Sequence, residues 1–221
     1  MPNPCDLTTL ARAAARLRVS PTDAELPALV TAASQALADW LGYPAYLREE
    51  VEETVPSEGG RYLFLRAGAV RRVVRVAVDG AELAPEEYAL EAPRVGRLVR
   101  RRGCWPFTGE WTGGVAPMPL ASQDTGAIVV VYDAGWRTPG QVALALAADS
   151  ASTLASDLPA PLEEAALTTI TALRAMAGRD SNVVSRSLGG GSVTWDAARA
   201  AVPVLAQQLA QPYRKALRRA A

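Results

Sequence analysis

PLEEAALTTITALRAMAG, Pro161–Gly178, is the stretch on which the fold turns. Leu162, Ala166, Ile170, Leu173 and Ala177 recur at steps of four and three, the spacing that gathers side chains on one face of a helix. Pro161 suits a first turn, where its missing N–H costs nothing. Glu163 and Glu164 place negative charge at the positive end of the helix dipole, and Gly178 can take the left-handed conformation that stops it. Such a helix, roughly 25 Å long, has an apolar stripe that water does not accept. Other parts of the chain must cover it.

On the N-terminal side two helices are available. Asp6–Leu17 (DLTTLARAAARL) has Asp6 as its cap and Leu7, Leu10, Ala14 and Leu17 on one side. The second opens at Ser20-Pro21, with Thr22-x-x-Glu25 as a capping box and Leu26, Leu29, Ala33, Leu37, Trp40 and Leu41 as its stripe. Gly42-Tyr43-Pro44 ends it, and Pro27 must fall in its first turns or kink it. Nearer to Pro161, Val142–Asp149 is alanine-rich and reads as helix. Beyond Gly178, the polar stretch Asp180–Ser192 with Gly189–Gly191 reads as a connector, and Val193–Trp195 as a short extended piece. Ala197–Leu209 follows as a last helix despite Pro203, and Pro212 precedes a basic tail, Tyr213–Ala221.

From Tyr46 the period drops to two. Leu47–Val55 is extended and acidic; Arg61–Leu65, Val70–Val78, Tyr88–Leu90, Arg97–Arg101 and Ile128–Tyr132 read as strands. In Val70–Val78, Val74, Val76 and Val78 alternate with Arg71, Arg75 and Ala77, and Asp79-Gly80 is a hairpin turn. Gly103–Ser122, rich in Gly, Pro and Trp, reads as a long irregular loop. The expected class is therefore α+β: a mainly helical core, residues 1–45 and 137–221, with an inserted small antiparallel β-domain over 46–136.

Composition narrows the function. The 221 residues are 49% hydrophobic, enough for a substantial core, and the charges sum to zero, unlike those of a protein that coats nucleic acid. Arginine almost excludes lysine, Lys215 being the only one. Histidine is absent, which removes the commonest general base and most zinc and iron sites. Cys5 and Cys104 are isolated and form no metal pair, so no metal, no cofactor and no catalytic residue is expected. Met1–Leu10 lacks the pattern of a signal peptide, and no window has the roughly 18 apolar residues of a membrane span. A reducing compartment without disulfides is the expectation.

Three constellations remain. Glu49, Glu50, Glu52 and Glu53 form an acidic strand, read either as solvent-facing carboxylates or as a contact for a basic surface on a neighbouring subunit. Alternation puts Glu50 and Glu52 on one face and Glu49, Val51 and Glu53 on the other. Ten arginines face five acids between Arg61 and Arg102, ending in Arg100-Arg101-Arg102 beside Trp105 and Phe107. That pairing of arginine with aromatics fits nucleic acid, a subunit contact, or plain surface. Tyr213–Arg219 (YRKALRR) is spaced to dock on an acidic groove, or else is a frayed end. SLGGGS, Ser187–Ser192, lacks the Gly-Lys-Ser/Thr of a phosphate loop.

Taken in order, the parts resemble the head–tail connector proteins of tailed bacteriophages, the adaptor or head-completion family. The likeness rests on DLTTLARAAARLRV, DAELPALVTAASQALADWLGY, LFLRAGAVRRVVRVAVDGAEL with EEYAL, VVVYDAGW, LPAPLEEAALTTITALRA, SRSLGGGSVTW and QLAQPYRKALRR, which cover most of the chain. The chain departs from the pattern in the twenty or so residues Arg137–Asp157, where relatives often run directly on. The resemblance implies a non-enzymatic virion protein of the head–tail junction, assembled in the host cytoplasm. It implies a homo-oligomeric ring, a dodecamer, that binds the portal protein and the next tail or head-completion protein. DNA would pass transiently through its channel, with no membrane involved. It further implies portal docking by Tyr213, Arg214, Lys215, Leu217 and Arg218. Channel or tail-side contact would fall to Arg100, Arg101, Arg102, Trp105 and Phe107, and subunit contact to Glu49, Glu50, Glu52 and Glu53. The rival is a nucleic-acid-binding module built on the Arg100–Arg102 hairpin.

Overall fold

In the computed structural model the stretch Ala160–Ala177 is a helix (α4), and its side chains Leu162, Ala165, Ala166, Leu167, Thr169 and Ile170 are buried. The structure describes residues 2–108, 127–177, 185–188, 191–194 and 201–215, the two stretches 185–188 and 191–194 by their backbone alone. The expected stop at Gly178 lies outside the described residues. Around α4 pack α1 (Leu10–Leu17), α2 (Leu26–Leu41) and α5 (Val204–Ala210). Ala13 and Ala14 of α1, Leu26, Val30 and Ala33 of α2, and Leu167 and Ile170 of α4 form one apolar cluster. Each buried Leu, Val or Ile contributes about 1.5–3 kcal/mol, so these contacts hold the helices together.

The helix starts differ from the expected ones. Asp6 does not cap α1. Its carboxylate accepts from the Asn3 N–H (2.9 Å) and from the Thr31 hydroxyl (2.8 Å), while Thr9 caps the helix by accepting from the Arg12 N–H. The Thr22–Glu25 capping box does not form either. Thr22 bonds Ser20, and Glu25 pairs with Arg174. Pro27 consequently falls in the first turn of α2, where it does no harm. Gly42 ends α2 as expected, at φ 84°. Val30 replaces Leu29 in the buried stripe.

α3 spans Pro139–Ala148, three residues ahead of its expected start. Thr138 accepts from the Gln141 N–H, Gln141 returns a bond to the Thr138 N–H, and the Thr138 hydroxyl donates to the carbonyl of Pro4 (2.6 Å). Pro203 does not interrupt the last helix but opens it as N-cap. Of the expected Ala197–Leu209, residues 201–203 are not helical and 197–200 lie outside the described residues. The expected connector contains a hairpin, β8 (Ser185–Leu188) against β9 (Gly191–Thr194). The rest of Asp180–Ser192, and Trp195, lie outside the described residues.

Two compact units result: Met1–Tyr46 with Trp136–Arg214, and Leu47–Gly135 joined by Lys215. In the second, β1 (Arg48–Val55), β7 (Ile128–Ala134), β3 (Val70–Val78) and β4 (Ala81–Glu82) form a sheet in the order β1-β7-β3-β4. β2 (Tyr62–Phe64), β6 (Arg97–Arg100) and β5 (Tyr88–Ala92) form another, ordered β2-β6-β5. Both sheets are antiparallel, and Val55, Leu63, Leu65, Val76, Leu98, Trp105, Ile128, Val130 and Tyr132 fill the core of this unit. The protein is mixed α+β. Asp79 (φ 53°) and Gly80 (φ 79°) make the expected turn. The strict alternation expected in β3 fails, because bulges fall between Val70 and Arg72 and between Val73 and Arg75. Val76 is buried and Val74 is 41% exposed. Of the expected loop Gly103–Ser122, the portion 109–122 lies outside the described residues.

Candidate functional site

The tail is tied down as far as the structure describes it. In the helical unit, the Tyr213 ring meets the Trp136 ring edge-on at 5.7 Å, and the Tyr213 carbonyl accepts from the Tyr43 hydroxyl at 2.6 Å. The Arg214 guanidinium lies over Trp40, 4.8 Å from the ring centre. In the β unit, the Lys215 ammonium donates to the carbonyls of Leu65 (2.7 Å) and Arg66. Burial pushes the Lys215 pKa down, and the nearby Glu53 carboxylate pulls the other way. The frayed-end alternative fails through Lys215. Leu217 and Arg218 lie outside the described residues.

The acidic strand does not behave as one set. Glu53 is not solvent-facing: its side chain is 8% exposed, accepting from the Tyr132 hydroxyl (2.6 Å) and from the Arg66 N–H (3.0 Å). Burial and the Glu53 carboxylate together hold the Tyr132 phenol above its ordinary range. The register slips between Arg48 and Val51, and Glu50 sits at φ 51°. That bulge separates Glu49 from the face it was expected to share with Glu53. Glu49, Glu50 and Glu52 stay exposed at the edge of the sheet. Glu52 reaches Arg75 of β3 at 3.3 Å, and both residues stand opposite Val131.

Asp133 anchors the bulge. Its Oδ1 accepts from the Glu50 N–H at 2.8 Å and its Oδ2 from Arg72. Burial alone would raise the carboxyl pKa, but the Glu50 N–H and the Arg72 guanidinium outweigh it and hold the group below the usual range. Sequence reasoning placed Asp133 only within VVVYDAGW. The signal that could have exposed its role is an acid inside an otherwise apolar strand, which requires a partner.

The arginine–aromatic set comes apart. Trp105 is 1% exposed and belongs to the core, so it offers no face for stacking. Arg100 pairs with Glu87 (3.2 Å) and lies over the Trp105 ring at 5.5 Å. Arg101 donates from Nε to the Tyr88 carbonyl at 3.2 Å. Arg101, Arg102 and Phe107 are exposed. The exposed aromatics on a sheet are instead Tyr62 (47%) and Phe64 (38%) of β2, with Arg97 over the Tyr62 ring. The signal that marks them in the sequence is their alternation with the apolar Leu63.

A shallow groove of about 730 Å³ beside α2 is lined by Pro4, Cys5, Pro27, Thr31, Gln35 and Tyr46 among others. Its one thiol, Cys5, is raised in pKa by burial and by Asp6, which leaves it a poor nucleophile. Cys5 and Cys104 are both free. Among the described residues no group of His, Cys, Asp or Glu is placed to hold a metal, and no helix is long and apolar enough to cross a membrane.

No protein-family model matches the chain, and no curated protein matches it. Solved structures do. A chain in the neck of an empty GTA particle, computed with C6 symmetry, superposes with a TM-score of 0.53 at 16% identity, over 96% of this chain and 92% of that one. A chain in the neck of the native GTA particle, computed with C12 symmetry, gives 0.52 at 13% identity over 98% and 92%. A chain of the virion of the native gene transfer agent (GTA) particle gives 0.52 at 14% identity over 96% and 92%. The likeness is one of fold, and it runs through both units.

Proposed function

We propose that this chain is a neck component of a phage-like particle: the subunit of a head–tail adaptor ring seated under the portal. The reading is carried by one observation, the end-to-end likeness to neck chains of GTA particles, one of them computed with C12 symmetry. The ring, a dodecamer, bridges portal and tail at the head–tail junction of a virion and encloses the path of the DNA. Its work is done by complementary surfaces, without bond-making. In this reading the segment from Tyr213 docks on the portal, and Arg102 and Phe107, both exposed in the chain that follows β6, face the channel or the tail side.

Negative-stain images and sedimentation of the purified chain, alone and with an intact cognate portal, test the reading. Closed rings that co-sediment with the portal are expected. A chain that stays monomeric with and without the portal overturns it.

A further inference from the structure

We infer that neighbouring copies join edge to edge, the acidic strand β1 of one copy adding to the basic strand β3 of the next. The inference rests on the ring reading above and names the surface that would close the ring.

The four-stranded sheet ends in two open edges. β1 is terminal, and on the other side β4 covers Ala77 and Val78 of β3 while the Leu83 N–H takes the Val76 carbonyl, which leaves Arg72–Arg75 as the open length. Among the described residues no further strand pairs with Glu49–Thr54 or with Arg72–Arg75 on their outer sides. An open edge presents unpaired N–H and C=O groups, a template for another strand, and a protein that must stay monomeric blunts it. Charge is the usual means, and both edges carry it here, with opposite signs. β1 has Glu49, Glu50 and Glu52 exposed, and β3 has Arg72 and Arg75 exposed. Each edge repels its own kind and attracts the other.

The register supports the match. Glu52 and Arg75 share one row across β7, both opposite Val131. A β1 strand laid along Arg72–Arg75 in this register would set its Glu52 beside this Arg75 and would leave the edge there, because β4 and the Leu83 N–H occupy β3 from Val76 onward. Opposite charges on adjacent strands contribute about 0.2–1 kcal/mol each, beyond the backbone bonds. Direction agrees as well. β1 and β3 are each antiparallel to β7, and so run parallel to one another. A copy related by simple rotation can therefore lay β1 along β3 without inversion. Such a head-to-tail contact uses two different surfaces of one chain, which is the requirement for a closed ring. The bulges at Arg48/Val51 and Val73/Arg75 bend the strands, and a sheet carried round a ring must bend.

The test uses the full chain with E52R and R75E made separately, each checked for folding by circular dichroism. Ring formation is followed by sedimentation and negative-stain imaging over a concentration series at low salt. Each variant alone sets like charges edge to edge and should associate up to about fivefold more weakly at every contact. An equimolar mixture of the two should restore rings. The E52R chain carries positive charge at both edges and the R75E chain negative charge at both, so every contact in an alternating ring pairs opposite signs. Loss of an internal Glu52–Arg75 pair cannot produce that rescue, since neither chain regains it. Amides of residues 49–52 and 72–75 should gain hydrogen-exchange protection on assembly. Rings formed by both variants at the wild-type concentration, or a mixture no better than its parts, overturn the edge contact and leave the ring standing. A wild type that never associates overturns the ring itself.

Discussion

Asp133 shows how much a single buried carboxylate can organise. It holds the left-handed Glu50 N–H and the Arg72 guanidinium at once. Its folded pKa lies below the unfolded value, so its contribution is present above the unfolded carboxylate pKa and is lost as pH falls through the folded one. Asp133→Asn is expected to cost about 1–2 kcal/mol at pH 7, and the gap from wild type should close in acid. Urea melts of both proteins between pH 7 and pH 3 check this, and a gap independent of pH would refute it. Tyr132→Phe removes the hydroxyl that donates to Glu53 and should likewise cost about 1–2 kcal/mol. At this scale the sequence was least readable. That Glu53 faces Tyr132 and the Arg66 N–H, rather than water, depends on strand pairing between residues 79 apart. Alternation cannot report a bulge, which shifts every later side chain to the other face.

Among the elements, those with a strong local signal were legible in advance. The start of α4 and the turn at Asp79-Gly80 came within a residue of their observed positions, because each carries its own start signal or period. The starts of α1 and α2 did not. Asp6 and Thr22 have the chemistry of caps, but Asp6 is drawn off by Asn3 and Thr31. α3 could have been placed from Thr138-Pro139-x-Gln141, a capping box with proline in the first turn. Its N-terminus is also where residues 3–6 pack: the Gly140 N–H donates to the Asp6 carbonyl at 3.0 Å. A Cβ on Gly140 would stand 2.0 Å from the Asn3 carbonyl oxygen, too close to survive without movement of the backbone. Gly140→Ala should therefore cost about 2–3 kcal/mol and strip hydrogen-exchange protection from residues 3–8. Thr138→Ala, which loses the cap and the bond to Pro4, should cost about 1–2 kcal/mol. Chemical denaturation reads both, and wild-type stability in either would sink the account of this corner.

For the whole molecule, the C-terminal segment matters most to the proposed role. Tyr213 and Arg214 are occupied by aromatic residues of their own unit, so any docking through them must first release or reuse those contacts. Tyr213→Ala should speed tryptic cleavage after Arg214 roughly tenfold, the equivalent of about 1.4 kcal/mol of lost local stability. Unchanged cleavage kinetics would show that the clasp does not hold the segment.

Tyr46 and Trp136 form a bridge between parallel backbones, with the Trp136 N–H donating to the Ala45 carbonyl at 2.9 Å. The chain therefore leaves the helical scaffold and re-enters it at neighbouring points. A short glycine–serine splice from Tyr46 to Trp136 should leave a miniature that still melts cooperatively. The two adjoining ends make one graft port, through which the inserted segment can be exchanged for another while the helical frame stays closed.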